Sequence, residues 1–356
     1  MTQLSAAEVG PPLISIVVPA LNEAANVPGL VERYRDLLRA HPDCKFELVL
    51  VDDGSTDGTA DLLMRSVSDA DHVTAIRLSR SFGSHYAISA GLAECRGDAA
   101  IVLGADLQEP PELISDFISN WESGSDVVWG VRRSRVGRSR LDELASTTFS
   151  WLFTRFANLA NYPPEGPSGV LIDRIVVDEV VRLPERNRNT LALIAWLGFD
   201  QTQVYYDQQE RVHGASRWTK RKMIKLALDS LIQFSSTPLR VCSAAGLILA
   251  GLGALYALIL VVRSLMGVNT PAGWPTVLVV VLIVGGTQLA MIGIMGEYLW
   301  RGVEESRNRP LYVVRDILHS DPQDRGSPVP THGRRRSSAT RFPIQTTRPA
   351  EEETPT

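Results

Sequence analysis

The sequence predicts an α/β domain followed by two membrane-spanning helices. Three observations carry that expectation. Between Leu13 and Gly130, short β-branched runs alternate with helical stretches, the pattern of strands wrapped by helices. Polar segments follow the ends of three of these runs, where ligands of such sheets bind. Later in the chain come two uncharged apolar runs of about 21 residues, Val241–Val262 and Thr276–Gly296, each long enough for roughly 30 Å of hydrocarbon.

Taken in order, residues 1–12 are polar, contain Glu8 and lack a basic run leading into an apolar stretch. They do not read as a signal peptide, and the domain that follows is expected in the cytoplasm. Ile14–Val18, Phe46–Val51, Val73–Leu78, Ala99–Leu103 and Asp126–Trp129 are the predicted strands; as near-continuous apolar runs they suit burial on both faces. Helices fit between them. Ala24–Ala40 is amphipathic, Thr59–Ser68 opens behind Ser55 and Asp57 as caps, and Ser84–Cys95 closes at Gly97.

A helix is expected from Leu141 to Tyr162, rich in aromatic residues that serve either a lipid surface or packing on the domain. Pro163, Pro164, Gly166 and Pro167 then mark a loop before another α/β element. From Thr219 to Phe234, Met223, Leu226, Ala227, Leu231 and Phe234 share one face while Lys220, Arg221, Lys222 and Lys225 lie toward the other. This suits an anionic membrane surface. The two apolar runs carry small residues such as Gly246, Gly251, Gly285 and Gly293, as packed membrane helices do. Arg and Lys crowd before the first and after the second, so the positive-inside rule puts both termini in the cytoplasm. Beyond about Ile317 the chain is dominated by Pro, Ser, Thr, Gly and Arg and is expected to be disordered.

Composition narrows the function. The 356 residues allow one large core, and a net charge of −4 excludes a broad basic face for nucleic acid. Cys44, Cys95 and Cys242 are widely spaced and form neither a disulfide framework nor a zinc pattern.

Three acidic clusters stand at strand ends: Asn22 and Glu23; Asp52 and Asp53 before Gly54 and Ser55; and Asp106 with Gln108 and Glu109. Hard oxygen ligands beside a diphosphate are what Mg²⁺ or Mn²⁺ require. Asp-Gly and Asn-Glu at strand ends also serve ordinary turns, so no single cluster identifies a site.

Together and in this order the segments resemble the family-2 inverting glycosyltransferases of GT-A fold. Val18-Pro19-Ala20-Leu21-Asn22-Glu23, Val51-Asp52-Asp53-Gly54-Ser55-Thr56-Asp57-Gly58-Thr59 and Ala105-Asp106-Leu107-Gln108-Glu109-Pro110-Pro111 look like the family's three signature blocks. The likeness continues through Arg77–Gly83, Gly130–Arg135, Arg211–Trp218 and Arg309–Arg315, covering roughly residues 13–316. With two C-terminal spans, it points to the polyprenyl-phosphate branch, which includes dolichyl-phosphate mannose synthases and bactoprenol glucosyltransferases.

The resemblance implies a GT-A, Rossmann-like nucleotide-sugar domain at 13–218 and an interface helix at 219–240. Two transmembrane helices follow within 241–296, then a cytosolic return segment at 297–316 and a tail at 317–356. It also implies that Pro19, Leu21, Glu23, Val51, Asp53, Gly104 and Ala105 line the nucleotide-sugar donor, while Asp106 and Gln108 hold Mg²⁺ or Mn²⁺. Asp106, Arg132 and Arg211 would carry the chemistry, and Arg211, Ser216 and Arg217 the lipid phosphate. The acceptor phosphate is already anionic near neutral pH, so the need is for charge management rather than for a strong base. Arginine meets it with a fork that grips phosphate. The expected location is the inner or plasma membrane, in contact with membrane lipid; oligomeric state is left open.

Two departures stand out. Gly104-Ala105-Asp106 stands where the family often has Asp-x-Asp, and Ser168-Gly169 precedes Leu171–Arg174 where it has Asp-Phe. Different substrates, a substitute acid at Glu165, or loss of catalysis in a membrane scaffold that keeps the fold would each account for them. A processive synthase is disfavoured because Arg217-Trp218 lacks the Gln of a Gln-x-x-Arg-Trp motif.

Overall fold

The apolar runs form strands where the sequence places them: β1 (Leu13–Ala20), β2 (Lys45–Asp52), β3 (Val73–Leu78), β4 (Ala99–Val102) and β5 (Val127–Arg132). The computed structural model describes residues 10–133, 162–163, 167–186, 188–209 and 273–321, with scattered positions between 243 and 266. Three further strands, β6 (Gly169–Asp173), β7 (Gln201–Tyr206) and β8 (Val314–His319), complete one sheet in the order β7-β5-β6-β4-β1-β2-β3-β8. β1 pairs in parallel with β2 and β4, β2 with β3, and β5 with β7; β6 and β8 run antiparallel to their neighbours. The carboxyl ends of β1–β5 and β7 therefore share one edge of the sheet with the amino ends of β6 and β8.

Helices cover both faces. α1 (Val27–Ala40), α2 (Thr59–Ser66) and α4 (Pro111–Glu122) pack Leu30, Leu63, Leu113 and Phe117 against Ile14, Ile16 and Leu48. On the other face α3 (Ser84–Glu94), α5 (Arg174–Arg182) and α6 (Thr190–Trp196) set Ala87, Leu92, Val176 and Ile194 against Val17, Val49 and Ile76. Adjacent residues of one strand thus feed opposite cores, which explains why the strands read as unbroken apolar runs. Gly91 of α3 lets the helix lie directly on the sheet: a Cβ there would come within 2.3 Å of Val17 Cγ1.

The stretch expected as one helix from Ala24 opens with a 3-10 turn, Ala24–Asn26, because Pro28 sits in the first turn of α1 and cannot donate to a preceding carbonyl. Ser55 does not cap α2; its Oγ instead accepts a 2.7 Å hydrogen bond from Asn22 N. Asp57 does serve that end, accepting from Thr59 N at 3.1 Å. The strand at the C-terminus overrides the expected boundary at 317, since β8 continues to His319 and Ser320 is buried, its Oγ accepting from Val73 N at 2.9 Å. Pairing along β3 covers an edge that would otherwise be open.

α7 (Trp274–Ser306) is a single helix of 33 residues that contains the second predicted span. Its described apolar side chains are largely exposed, Leu289 at 72% and Leu299 at 64%. Among the described residues no helix is long and apolar enough to cross a membrane; the side chains of Leu278, Val279 and Leu282 are among those outside the description. Described positions of the first predicted span, from Ser243 to Val262, are helical. The amphipathic stretch 219–240, the 317–356 tail beyond Asp321, and the helix expected at 141–162 apart from Tyr162 lie outside the described residues. Tyr162 meets Trp129 edge-on at 6.1 Å.

Candidate active site

Three loops meet at the shared sheet edge, and their polar groups first of all hold one another. After β1, Asn22 adopts a left-handed backbone with φ of 51° and accepts from Thr56 N at 2.7 Å. Glu23 N donates to Thr59 Oγ1 at 3.0 Å, and Ala24 N to Asp57 Oδ2 at 3.0 Å. At Asp57, burial acts to raise the carboxyl pKa, but hydrogen bonds from Thr59 and Ala24 outweigh it and leave it lowered. Glu23 accepts from Asn26 Nδ2 at 2.6 Å, which orients its carboxylate at the loop's base.

After β2, Asp52 accepts from Ser55 N, three residues on, at 2.7 Å, and so braces the loop from its own start. Asp53 is buried and reaches across to the loop after β3, accepting from Phe82 N at 2.7 Å, Ser81 Oγ at 2.8 Å and Gly83 N at 2.9 Å. Gly54 follows with φ of 78°, and a Cβ on it would lie 2.7 Å from the Arg80 and Ser81 backbone. Glycine is required there twice over, by conformation and by contact.

The loop after β4 carries the third cluster. Leu107 takes φ of 58°, and Arg33 of α1 holds the loop from beneath by donating to Leu107 O at 3.0 Å and to Glu109 O. Gln108 is tied to the segment after β7: Gln209 N donates to Gln108 O at 3.0 Å and Gln108 Nε2 to Gln209 O at 3.3 Å. Asp106 and Gln108 are half-buried and Glu109 is buried. Burial first, and the nearby Asp106 second, push the Glu109 carboxyl up to about 7. At Gly104 a Cβ would sit 2.8 Å from Asp106 Oδ1 and 3.7 Å from Glu109 Oε1. The space of the absent carboxylate is therefore shared by two others.

Arg132, at the end of β5, donates to Gln208 Oε1 at 3.2 Å. Its Nε is buried without an acceptor among the described residues. Such a group ordinarily finds a partner. Ser168 Oγ and Tyr206 OH hydrogen-bond to each other, and Tyr206 is pushed up to about 12, chiefly by burial, so it stays a neutral hydroxyl. Tyr206, Gln208 and Gln209 were not picked out by sequence reasoning. The available signal was a polar, aromatic run, Tyr205–Gln209, just before Arg211.

The structure thus brings together Asp106, Gln108, Arg132, Gly104 and Ala105, with Glu109 beside them. Pro19, Leu21, Glu23 and Asp53 line the neighbouring half of the edge. Val51 is fully buried in the core under α3, so its side chain does not reach a ligand and contact there would be through the backbone. Arg211, Ser216, Arg217 and Glu165 lie outside the described residues. Among the described residues no three His, Cys, Asp or Glu side chains cluster as a metal cage. Asp106 and Gln108, with Glu109 near, nevertheless form an oxygen-rich set of the kind that Mg²⁺ or Mn²⁺ takes when phosphate and water complete the shell.

The profile of Glycosyl transferase family 2 matches residues 15–181. An uncharacterized glycosyltransferase of Synechocystis is 37% identical, covering 85% of this chain and 95% of its own length. A bactoprenol glucosyl transferase of Shigella flexneri, prophage-derived, is 33% identical over 311 residues, 87% of this chain and 99% of the relative. Among solved structures, a mannosyltransferase from Pyrobaculum calidifontis is 18% identical with a TM-score of 0.42, covering 82% of this chain and 90% of that one.

Proposed function

Because the chain belongs to glycosyl transferase family 2, we propose that it moves a sugar from a nucleotide-sugar onto a polyprenyl phosphate, with inversion at the anomeric carbon. The observation that carries this reading is the extent of the likeness to the Shigella bactoprenol glucosyl transferase. A match of 311 residues cannot fit within the α/β domain and must run into the apolar C-terminal segment. The exposed apolar side chains of α7 support the same reading, since a helix so covered is at home in lipid rather than water. On this reading α7 and the run 241–262 cross the membrane and the α/β domain is cytoplasmic.

Each group at the sheet edge then has a task. The interlocked loops after β1 and β2 form a rigid rim for the base and ribose, because the N–H groups of Asn22, Glu23, Ala24, Ser55 and Thr56 all donate to side chains of this same region. Asp106 and Gln108 would hold a divalent cation, which supplies positive charge to the departing nucleoside diphosphate. Arg132, whose Nε has no acceptor among the described residues, stabilises phosphate oxygens as the sugar leaves, and it is pre-positioned by Gln208. The acceptor oxygen arrives as an anion and attacks the anomeric carbon in line with the bond that breaks, so no side chain needs to remove a proton. Glu109 restores a second carboxylate close to the position that Gly104 leaves empty, and the Ser168–Tyr206 pair fills the place of the other absent acid with neutral hydroxyls. The scaffold alternative finds no support.

Purified protein incubated with short-chain polyprenyl phosphate, Mg²⁺ or Mn²⁺ and a panel of UDP- and GDP-sugars tests the proposal by mass spectrometry. A metal-dependent glycosylated lipid, absent with Asp106→Asn, is expected. Binding of nucleotide-sugar with no lipid product from any donor would overturn it.

A further inference from the structure

A cavity of about 220 Å³ opens between the loop after β3 and the foot of α7, and its charged lining is all arginine: Arg80, Arg186, Arg307 and Arg309. None of these belongs to the donor or acceptor groups described above. Arg186 is committed to structure. It donates from its backbone N to Glu305 Oε1 at 2.8 Å, from its guanidinium to Asn308 Oδ1 at 3.1 Å and to Arg309 O, and so fixes the end of α7. Asn308, with φ of 50°, turns the chain out of the helix there. The nearby carboxylate, Glu305, is tied up by Arg186. Among the described residues no carboxylate pairs with Arg80, Arg307 or Arg309.

Two of the three remaining guanidinium groups are oriented by aromatic rings. Arg80 lies 4.3 Å from the centre of Phe82, and Arg307 5.1 Å from that of Trp300. A guanidinium held beside a ring keeps its N–H donors for an anion. Trp300 is half exposed, and the backbone of Arg307 lies seven positions farther on, about 10 Å along the axis, with its guanidinium reaching back toward the ring. With Trp300 at the lipid boundary, the cavity sits at headgroup depth.

We infer that this cavity binds the phosphate of an anionic membrane phospholipid, as a docking site separate from the acceptor's. The inference rests on the membrane reading of α7. Its floor is the loop whose Ser81, Phe82 and Gly83 hold Asp53, so an occupied cavity steadies the donor rim from behind.

The test uses the full chain in neutral detergent, with soluble dihexanoyl-phosphatidylglycerol titrated by calorimetry. Dihexanoyl-phosphatidylcholine, inorganic phosphate and short-chain polyprenyl phosphate serve as competitors. Wild type should bind the phosphatidylglycerol, and Arg307→Gln with Arg309→Gln should weaken it roughly 30-fold, about fivefold per arginine. Replacement of both by lysine should recover part of the loss, and nucleotide binding by every variant reports that the domain is folded. Equal affinity in the double Gln variant would overturn the inference, as would displacement by polyprenyl phosphate or inorganic phosphate at equal concentration. Flotation of wild type on neutral phosphatidylcholine vesicles reads the membrane assignment separately. A protein that binds the soluble lipid but fails to float would sink that assignment and leave the cavity chemistry standing.

Discussion

Gly54 and Gly58 share a backbone φ of 78° yet have different surroundings, and this makes them a matched pair. A Cβ on Gly58 would have nothing within 4 Å, whereas one on Gly54 would be 2.7 Å from the Arg80 and Ser81 backbone. Gly58→Ala should therefore cost only the left-handed conformation, about 1–2 kcal/mol. Gly54→Ala carries the same strain and must also push the 80–83 loop away from Asp53. That stretches three hydrogen bonds to a buried carboxylate, Ser81 Oγ, Phe82 N and Gly83 N. Bonds to charged groups contribute about 1.5–3 kcal/mol each, so losing two of them brings the total to roughly 4–8 kcal/mol. For a domain of this size each kcal/mol lowers the melting midpoint by about 2–4 °C. Thermal unfolding of the purified chain should then show a drop of about 2–8 °C for Gly58→Ala and of about 8–30 °C for Gly54→Ala, with weakened nucleotide binding only in the latter. Equal drops, with nucleotide binding intact in both, would refute the idea that the loop behind Asp53 is held by this close approach.

Three further outcomes are expected. Burial beside Asp106 lifts Glu109 from 4.5 to about 7 in the metal-free protein, so the folded chain holds this proton more tightly than the unfolded one. With chelator present, stability should fall as pH rises from about 4.5 through 7, by at most about 3 kcal/mol, and level off above; Glu109→Gln should flatten that slope in denaturant titrations. Arg132→Gln should lower kcat by about 10²–10³ with little change in melting midpoint, as loss of a group that acts on developing charge; unchanged turnover would remove it from the chemistry. Gly91→Ala places a methyl within 2.3 Å of Val17 and should destabilise by about 1–3 kcal/mol while sparing nucleotide affinity measured in the folded state.

β1 to β5 were legible in the sequence because each is buried on both faces and so appears as an uninterrupted apolar run. β7 was not, since Gln201–Tyr206 keeps most of its side chains half in solvent and lacks an apolar signature. β6 is only five residues long, and β8 follows the apolar C-terminal segment, far from the strand it pairs with. At the site, the loop residues announced themselves through Asp, Asn and Gly, whose turn chemistry is local. The contributions of Tyr206, Gln208 and Arg33 are long-range: Arg33 lies 74 positions from the Leu107 carbonyl it holds, and no spacing rule links them. At Val51 the signature marks a residue whose polar neighbours face the edge but whose own side chain points into the core, so any part it takes in donor binding is through its backbone.

β8 has a consequence for the order of events during synthesis. Its partner β3 ends at Leu78 and β8 begins at Val314, so the ribosome adds 314 − 78 = 236 residues before that edge can close. At about 5–20 residues per second this takes on the order of 10–50 s. Throughout that interval the nascent domain exposes the unpaired N–H and C=O groups of Thr74 to Leu78, and both apolar runs leave the exit tunnel before the closing strand does. The last step of folding the sheet is thereby made to wait for the whole apolar C-terminal segment that precedes β8.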